Sequence, residues 1–329
     1  MKRDLNLDTL KGFLTILVVY GHISYGLFSI EKLQFLSRIS SFIYFFHMPI
    51  FLATSAIFIK GNYTYLIKRA SLILLPYAFW FSYEHKMMFF ENTGVFFAKL
   101  FMGNWHSTES IIWFLPTLFS LNFLIYLFIK GQTFLKIILL FSSISTFIFS
   151  SKIAIIHNYI PFGIDVALYL FILTYLIKVT YQHKHYILNI AYYPMIIIMI
   201  LTSTFLLFTF EPIKTLSRFH ARVDLAQFSV PVTIIGYMSF IVLSISIFIF
   251  FMKVRSSKKL AFVGRYSFPI FLMHLTVLYK LPELIKFDNL ILKLLLMIIT
   301  FVLSILIPII VSRILMTISD KFKYIGLSK

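Results

Sequence analysis

The chain has 329 residues, of which 60% are apolar and 13% are charged, and its formal net charge is +18. The charged share is about half that of an average soluble domain, and no charge-rich segment is long enough to form a nucleic-acid-binding domain. The sequence contains no cysteine, which excludes disulfides, thiolate catalysis and cysteine-based metal sites. This composition indicates a multi-spanning membrane protein without a nucleic-acid partner.

Ten apolar windows follow one another along the chain, and a helix needs about 20 apolar residues to cross a hydrocarbon core. The links between them are short and polar, without an internal repeat or an appended soluble domain. We therefore predict one all-α transmembrane domain over residues 1–329, a bundle of about ten transmembrane helices. The windows are 12–30, 36–59, 70–90, 111–129, 134–150, 164–177, 187–210, 228–252, 266–279 and 290–317.

The basic residues predict the orientation of this bundle, because cytoplasmic links of membrane proteins are enriched in Lys and Arg. If the N-terminus is cytoplasmic, most of the 30 Lys and Arg residues fall on the inner side, and most acidic residues fall on the outer side. The net charge of +18 is then largely a signal of topology. We predict that both termini are cytoplasmic.

The first window carries a cation and a histidine on one face. Lys11 stands at its cytoplasmic edge, and His22 follows eleven residues later. Eleven residues at 100° each come within about 20° of three helical turns, so both side chains lie on one stripe, about 16 Å apart along the axis. Asp8 and Thr9 are candidate caps of this helix or further members of its polar face.

Other windows place ionisable residues at the depth of His22. Counted from the cytoplasmic edge of each helix, the side chains of His22, His47, Asp165 and His274 lie roughly 14 to 20 Å deep, near the midplane. Ionisable groups there cost a few kcal/mol unless they face a partner, water or the bundle interior. We predict a shared polar site; a helix-packing role is the alternative for any single histidine, and four ionisable residues at one depth disfavour it for all of them. The histidines lack metal-ligand spacing, so no metal is expected.

Six segments of the chain carry a family resemblance. They are LDTLKGFLTILVVYGHIS (7–24), FFHMPIFLATSAIF (45–58), IKRASLILLPY (67–77), IIWFLPTLF (111–119), FGIDVAL (162–168) and FVGRYSFPIFLMHL (262–275). In order and spacing they resemble the bacterial acyltransferase family 3, and within it the fucose 4-O-acetylase-like group. The resemblance covers nearly the whole chain, and its most specific element is the basic residue that precedes a histidine by eleven positions.

The resemblance implies a multi-pass enzyme of the bacterial inner (plasma) membrane. Such an enzyme moves an acyl group, usually acetyl, from cytoplasmic acyl-CoA to a sugar hydroxyl of a cell-surface polysaccharide or of its lipid-linked precursor. Acetyl-CoA is then the donor substrate, and the partners are the glycan acceptor and membrane lipid.

The family's functional residues carry over position by position. His22 matches the essential histidine of the first helix, and Lys11 matches its basic partner, which is more often Arg. Arg69 matches the basic cluster after the second span, whose usual second Arg is not clear here. The small-residue turn after the second helix reads Ser55-Ala56 where Ser-Gly is commoner.

Acyl transfer to an alcohol needs a base for the hydroxyl proton and donors for the oxyanion, and neutral imidazole suits the first task. Direct transfer and an acyl-histidine intermediate both remain open. We expect catalytic roles for His22, His47 and Asp165, contacts to CoA from Lys11, Arg69 and Lys68, and contacts to the acceptor from Glu84, Trp113 and His274, near the 86–110 loop.

Two other classes of protein fit the same residues. One is a transporter or flippase of a lipid-linked saccharide, in which the midplane His and Asp residues act as a proton relay. The other is a structural subunit of a polysaccharide assembly complex, in which the polar layer only joins helices. Neither class would consume acyl-CoA.

Overall fold

The computed structural model describes residues 3–26, 34–103, 112–149, 160–209, 230–283 and 290–327. Within these ranges the chain forms helices and no strand, which confirms the all-α prediction. The α-helices are α1 (Leu5–Gly26), α2 (Gln34–Ala56), α3 (Tyr63–Glu84), α4 (Lys86–Glu91), α5 (Thr93–Met102), α6 (Phe114–Lys130), α7 (Thr133–Ile148), α8 (Ile164–Gln182), α9 (Lys184–Ile190), α10 (Tyr192–Thr209), α11 (Val230–Lys253), α12 (Lys258–Arg265), α13 (Ser267–Glu283) and α14 (Leu290–Ile318).

Each of the ten predicted windows overlaps one of the longer helices, but several boundaries differ. The helix of the third window ends at Glu84, and the chain then continues into the separate short helix α4. The sixth window was predicted too short, since α8 continues to Gln182 beyond Lys178. An apolar window does not locate such a helix end. The lysine that terminates the window can still lie within the helix when carbonyl groups accept hydrogen bonds from its ammonium group.

The start of α1 also differs from the expectation for Asp8 and Thr9. Asp4, the residue before the helix, accepts hydrogen bonds at Oδ1 from the backbone N–H groups of Asn6 and Leu7. Asp8 instead forms an ion pair with Arg3, at 2.6 Å. The capping role therefore belongs to Asp4, because the helix begins earlier than the apolar window.

Several helices are long and apolar enough to cross a membrane. Three single helices meet this description, Pro161–Gln182, Ile234–Lys253 and Leu295–Ile318, and two bent pairs raise the number to five among the described residues. The pairs are α9 with α10, bent by 71°, and α12 with α13, bent by 76°. Ten spans and two cytoplasmic termini stay predictions, and residues 1–2, 27–33 and 328–329 lie outside the described ranges.

Helix α14 buries hydroxyl side chains and exposes apolar ones, which is the reverse of the arrangement on a surface helix of a soluble protein. The hydroxyl side chains of Thr300, Ser304 and Ser312 are fully buried on its inner face. The outer face exposes an unbroken apolar row. Such a helix suits a lipid environment, in which small and polar residues join helices. The exposed row comprises Leu295, Ile299, Val302, Leu306, Ile310 and Ile314.

The centre of the fold consists of α1, α2 and α8. Helix α1 packs against α2, α11, α12, α13 and α14, while α2 packs against α6, α8, α10 and α11. Helix α8 is buried on nearly every side and also contacts α6 and α7. The helices that carry His22, His47 and Asp165 are thus the most enclosed ones.

The closest helix crossing joins α1 to α12. A Cβ atom at Gly12 would collide with the carbonyl group of Leu260, and one at Gly264 would collide with the carbonyl oxygen of Asp8. The two glycines let the backbones touch, as small residues do in membrane helix pairs. This crossing fixes the start of α1, and therefore Lys11, against the segment that leads into α13.

Candidate active site

The structure brings His22 and His274 together. His22 lies on α1 and His274 on α13, with ring centroids 5.1 Å apart and ring planes tilted by 52°. His274 is fully buried, whereas His22 is partly exposed. Pro269 in the first turn of α13 is compatible with a helix start, where its missing N–H has no helical partner, and the helix carries His274 inward from there. Two residues that are 252 positions apart thus form one histidine pair.

The hydrogen bonds of His274 define its tautomer. Its Nδ1 atom lies 2.9 Å from the carbonyl oxygens of Ile270 and Phe271. A carbonyl oxygen only accepts hydrogen bonds, so Nδ1 carries the hydrogen and Nε2 holds the lone pair in the neutral ring. Within the described part of the chain, Nε2 is buried and has no hydrogen-bond partner.

His47 is buried on α2, close to the same part of α1. Its Nδ1 atom lies 2.7 Å from the carbonyl oxygen of Ile43, and its ring lies edge-on to Tyr44 at 4.9 Å between centroids. A Cβ atom at Gly21 would lie 2.8 Å from the hydroxyl oxygen of Tyr44, so α2 reaches α1 next to His22. His47 therefore belongs to the surroundings of the histidine pair through Tyr44.

Asp165 lies in the first turn of α8 and is 3% exposed. The short 3-10 turn Pro161–Gly163 precedes it, and Phe162 and Gly163 both have positive φ there, at 52° and 57°. The hydroxyl group of Ser120 donates a 2.8 Å hydrogen bond to the carbonyl oxygen of Phe162, which ties this turn to α6. The turn places a buried carboxylate at the N-terminus of a helix, where a negative charge is favourable.

Trp113 and Glu84 have different surroundings. Trp113 is buried directly before α6, and its neighbour Phe114 contacts Phe271 of α13 at 4.5 Å between ring centroids. Since Phe271 also lies 6.2 Å from the ring of His274, an aromatic chain connects Trp113 to the histidine pair. Glu84 is exposed at the end of α3. Residues 104–110 of the predicted acceptor loop lie outside the described ranges.

The predicted donor site contains Lys11 and Arg69, close enough for their charges to interact. Burial, and then the positive charge of Arg69, lower the pKa of Lys11 to about 8; Asp8 opposes this shift and Arg3 adds to it. The guanidinium of Arg69 donates from Nη2 to the carbonyl oxygen of Ser55 at 2.6 Å. Its Nε atom is buried and has no hydrogen-bond partner within the described ranges. Lys11 and Arg69 therefore place two positive charges, and an N–H donor that has no partner in the described ranges, at the C-terminal end of α2.

Lys68 does not share this environment. Its side chain is exposed on α3, about 100° around the helix from that of Arg69. It is available to an incoming ligand only at the rim of the cation cluster.

Lys178 is a member of the site that sequence reasoning missed. It is 8% exposed, and its ammonium nitrogen donates to the carbonyl oxygens of Ile57 and Ile59 at 2.6 and 2.8 Å. With Arg69 it holds the segment Ser55–Ile59, which contains the last residues of α2 and the turn after it. Its sequence signal was that of an ordinary cytoplasmic lysine at a helix end, which does not distinguish a buried structural cation from an exposed one.

Among the residues that the structure describes, no group of three or more His, Asp and Glu side chains is arranged to hold a metal ion. The polar residues instead form two sites joined by α1. Lys11 lies at the cation cluster, and His22 lies at the histidine pair about 16 Å along the helix axis. This spacing suits a long ligand with an anionic end and a reactive end.

Comparisons with known proteins agree with a transferase. Residues 4–313 match the family model of acyltransferase family 3, described as an acyltransferase domain. Nodulation protein NolL of Mesorhizobium japonicum is 38% identical to this chain over 85 residues, a stretch that covers 24% of this chain and 23% of that protein. The match thus spans about a quarter of that relative's length. No solved structure matches the chain.

Proposed function

The chain belongs to acyltransferase family 3, and from this membership we propose that it is a membrane O-acyltransferase, with acetyl as the group transferred. The donor is cytoplasmic acyl-CoA, and the acceptor is a sugar hydroxyl of a cell-surface polysaccharide or of its lipid-linked precursor. The fucose 4-O-acetylase-like group and a multi-pass location in the bacterial plasma membrane, with ten spans and both termini inside, belong to the same proposal.

One structural observation supports roles for particular residues, which membership of the family alone does not assign. His22, on the helical stripe of Lys11, lies against the ring of His274 in the interior of the bundle. An imidazole about three helical turns from a cation cluster on the same helix matches the reactive and the anionic ends of acyl-CoA. We assign the phosphates of CoA to the cluster and its thioester to His22.

His22 acts as the base in this proposal. An alcohol attacks a thioester poorly unless a base removes its proton as the new C–O bond forms, and imidazole titrates near neutral pH. His22 takes that proton and later returns it to the departing thiolate of CoA. His47 and Asp165 remain candidates for orienting groups around the reacting atoms, and their placement on the enclosed helices α2 and α8 supports such a role.

Lys11 and Arg69 hold the donor in this proposal. Arg69 already binds the carbonyl oxygen of Ser55, so its position is fixed before a ligand arrives, and its Nε atom is free to donate. Charge-assisted hydrogen bonds to phosphate are stronger than neutral ones. Lys68, exposed beside the cluster, meets the phosphates only on entry.

The acceptor enters from the opposite side of the membrane. Trp113 offers an aromatic surface for a sugar ring, and it connects through Phe114 and Phe271 to His274. Glu84, exposed at the end of α3, is the proposed carboxylate at the outer entrance. A carboxylate and an aromatic ring together suit a ligand with many hydroxyl groups.

The test is the O-acetyl content of the surface polysaccharide of the host, measured by proton NMR in a deletion strain. The strain is complemented with wild type, with His22→Ala, or with His185→Ala, which removes an exposed histidine on α9 as a matched control. All three proteins are brought to equal abundance in the membrane. We expect wild type and His185→Ala to restore the acetyl signal and His22→Ala to leave it absent.

Two outcomes would contradict the proposal. An unchanged acetyl pattern with less polymer at the surface would indicate a transporter of the saccharide. A His22→Ala protein that cannot be brought to this abundance in the membrane, while His185→Ala can, would indicate that the polar layer only joins helices.

A further inference from the structure

His274 carries a feature that acyl transfer by His22 alone does not explain. The ring is fully buried, its Nδ1–H is committed to the carbonyl oxygens of Ile270 and Phe271, and its Nε2 lone pair has no partner within the described residues. Burial of a polar atom without a hydrogen bond is unfavourable. This nitrogen is therefore available to a donor on a neighbouring side chain.

The geometry directs this lone pair away from its own helix. Because Nδ1 is held against the backbone of α13, the opposite edge of the ring, which carries Nε2, is turned outward from that backbone. The ring of His22 lies against the ring of His274, at 5.1 Å between centroids. At this separation the two five-membered rings are in contact, and His22 is the partly exposed member of the pair.

We propose that His274 is a positioning residue for His22. Its Nε2 accepts a hydrogen bond from the ring N–H of His22, and this bond selects the His22 tautomer whose other nitrogen carries the lone pair. The inference rests on the proposed function, because it assigns to His22 the role of base. It replaces the expectation that His274 binds the acceptor.

Protons and bonds balance in the resulting step. The O–H bond of the acceptor breaks, its proton moves to the His22 nitrogen that carries the lone pair in the proposed tautomer, and its oxygen forms a bond with the thioester carbonyl carbon. The C–S bond then breaks, and the thiolate of CoA takes the same proton from His22. His274 neither gains nor loses a proton, because its lone pair only stabilises the N–H group of the imidazolium.

The other two candidates for this role lie on α2 and α8. Like His274, His47 holds its Nδ1 atom against the carbonyl oxygen four residues before it, that of Ile43, and its neighbour Tyr44 approaches α1 at Gly21. Asp165 begins α8, whose preceding turn is tied to α6. Of the three, His274 is the one whose ring contact with His22 the structure describes.

The first measurement follows the tautomers by NMR on full-length protein labelled with ¹⁵N-histidine, in detergent micelles. Signals are assigned by their loss in His22→Ala and His274→Gln. We expect His274 with hydrogen on Nδ1 only, and His22 as one tautomer in wild type but as a mixture in His274→Leu. A His22 ring that averages between tautomers in wild type would overturn the proposal, and this result requires no variant to be active.

The second measurement separates the inference from the proposed function. Membrane vesicles of the deletion strain, carrying each variant at equal abundance, receive ¹⁴C-acetyl-CoA, and label in the endogenous polysaccharide is followed. We expect His274→Leu to lower the maximal rate about 100-fold with an unchanged KM for acetyl-CoA. His274→Gln keeps an acceptor oxygen near the position of Nε2, and we expect its maximal rate to be at least about tenfold higher than that of His274→Leu.

The outcomes point to different failures. Full activity of His22→Ala would overturn the proposed function itself. An inactive His22→Ala together with a fully active His274→Leu, or with a His274→Gln no better than His274→Leu, would overturn only the positioning role. A rise in KM instead of a fall in maximal rate would return His274 to substrate binding.

Discussion

The ammonium nitrogen of Lys178 lies 2.6 Å from the carbonyl oxygen of Ile57, so a buried cation of α8 closes the C-terminal end of α2. Ile57 and Ile59 lie in the turn directly after α2, where the carbonyl groups have no partner within the helix and the negative end of the helix dipole favours a cation. Lys178 satisfies two carbonyl groups of the segment that Arg69 also contacts. The proposed donor site therefore lies beside a turn that a third, unpredicted cation holds in place.

Replacement of Lys178 should destabilise the protein and displace Arg69. We expect Lys178→Met to lower the free energy of unfolding by about 3 kcal/mol, because two buried carbonyl groups lose a charged donor. Thermal unfolding in detergent measures this loss. Lys130→Met, which removes an exposed lysine at the end of α6, is the matched control and should have little effect. Equal unfolding midpoints for the two variants would show that Lys178 does not hold the turn.

The crossing of α1 and α12 gives a second prediction. Gly12→Ala and Gly264→Ala each place a methyl group on a backbone carbonyl of the other helix and should destabilise by about 3 kcal/mol, as overpacking does. Gly94→Ala is the control, since a Cβ atom there meets only an ordinary contact at 3.5 Å. Midpoints of thermal unfolding compare the three variants. A Gly264→Ala protein as stable as Gly94→Ala would mean that the two helices do not touch as described.

The pKa of Lys11, lowered to about 8 by burial and by Arg69, predicts the pH dependence of donor binding. Below pH 8 Lys11 is charged and attracts phosphate; above that pH it loses its proton and the attraction. We expect the KM for acetyl-CoA in membrane vesicles to rise about tenfold between pH 7 and pH 9.5, the effect of one lost charged contact.

Two variants of Lys11 control this experiment. Lys11→Arg keeps its charge over the whole range, so its KM should stay low and flat. Lys11→Met should have a KM that is high and equally flat. A wild-type KM that does not change with pH would show that the charge of Lys11 takes no part in donor binding.

The sequence predicted the helical fold because apolar windows in a membrane protein are long and nearly free of charge. It also predicted that His22 and His274 share a depth, since depth follows from counting residues along each helix. It did not predict that these two rings touch while His47 approaches through Tyr44, because the rotation of each helix depends on packing between distant segments. The burial of Lys178 was not predicted for a related reason. Its carbonyl partners lie after α2, more than a hundred positions away in the sequence.

The most direct test of the central claim supplies acetyl-CoA to one face of the membrane. Inside-out vesicles of the deletion strain, with wild type or His22→Ala at equal abundance, receive ¹⁴C-acetyl-CoA, and label in the polysaccharide fraction is counted. We predict incorporation with wild type and at most about one hundredth of that rate with His22→Ala. Equal incorporation by the two proteins, or none with wild type, would contradict acyl transfer from CoA at His22.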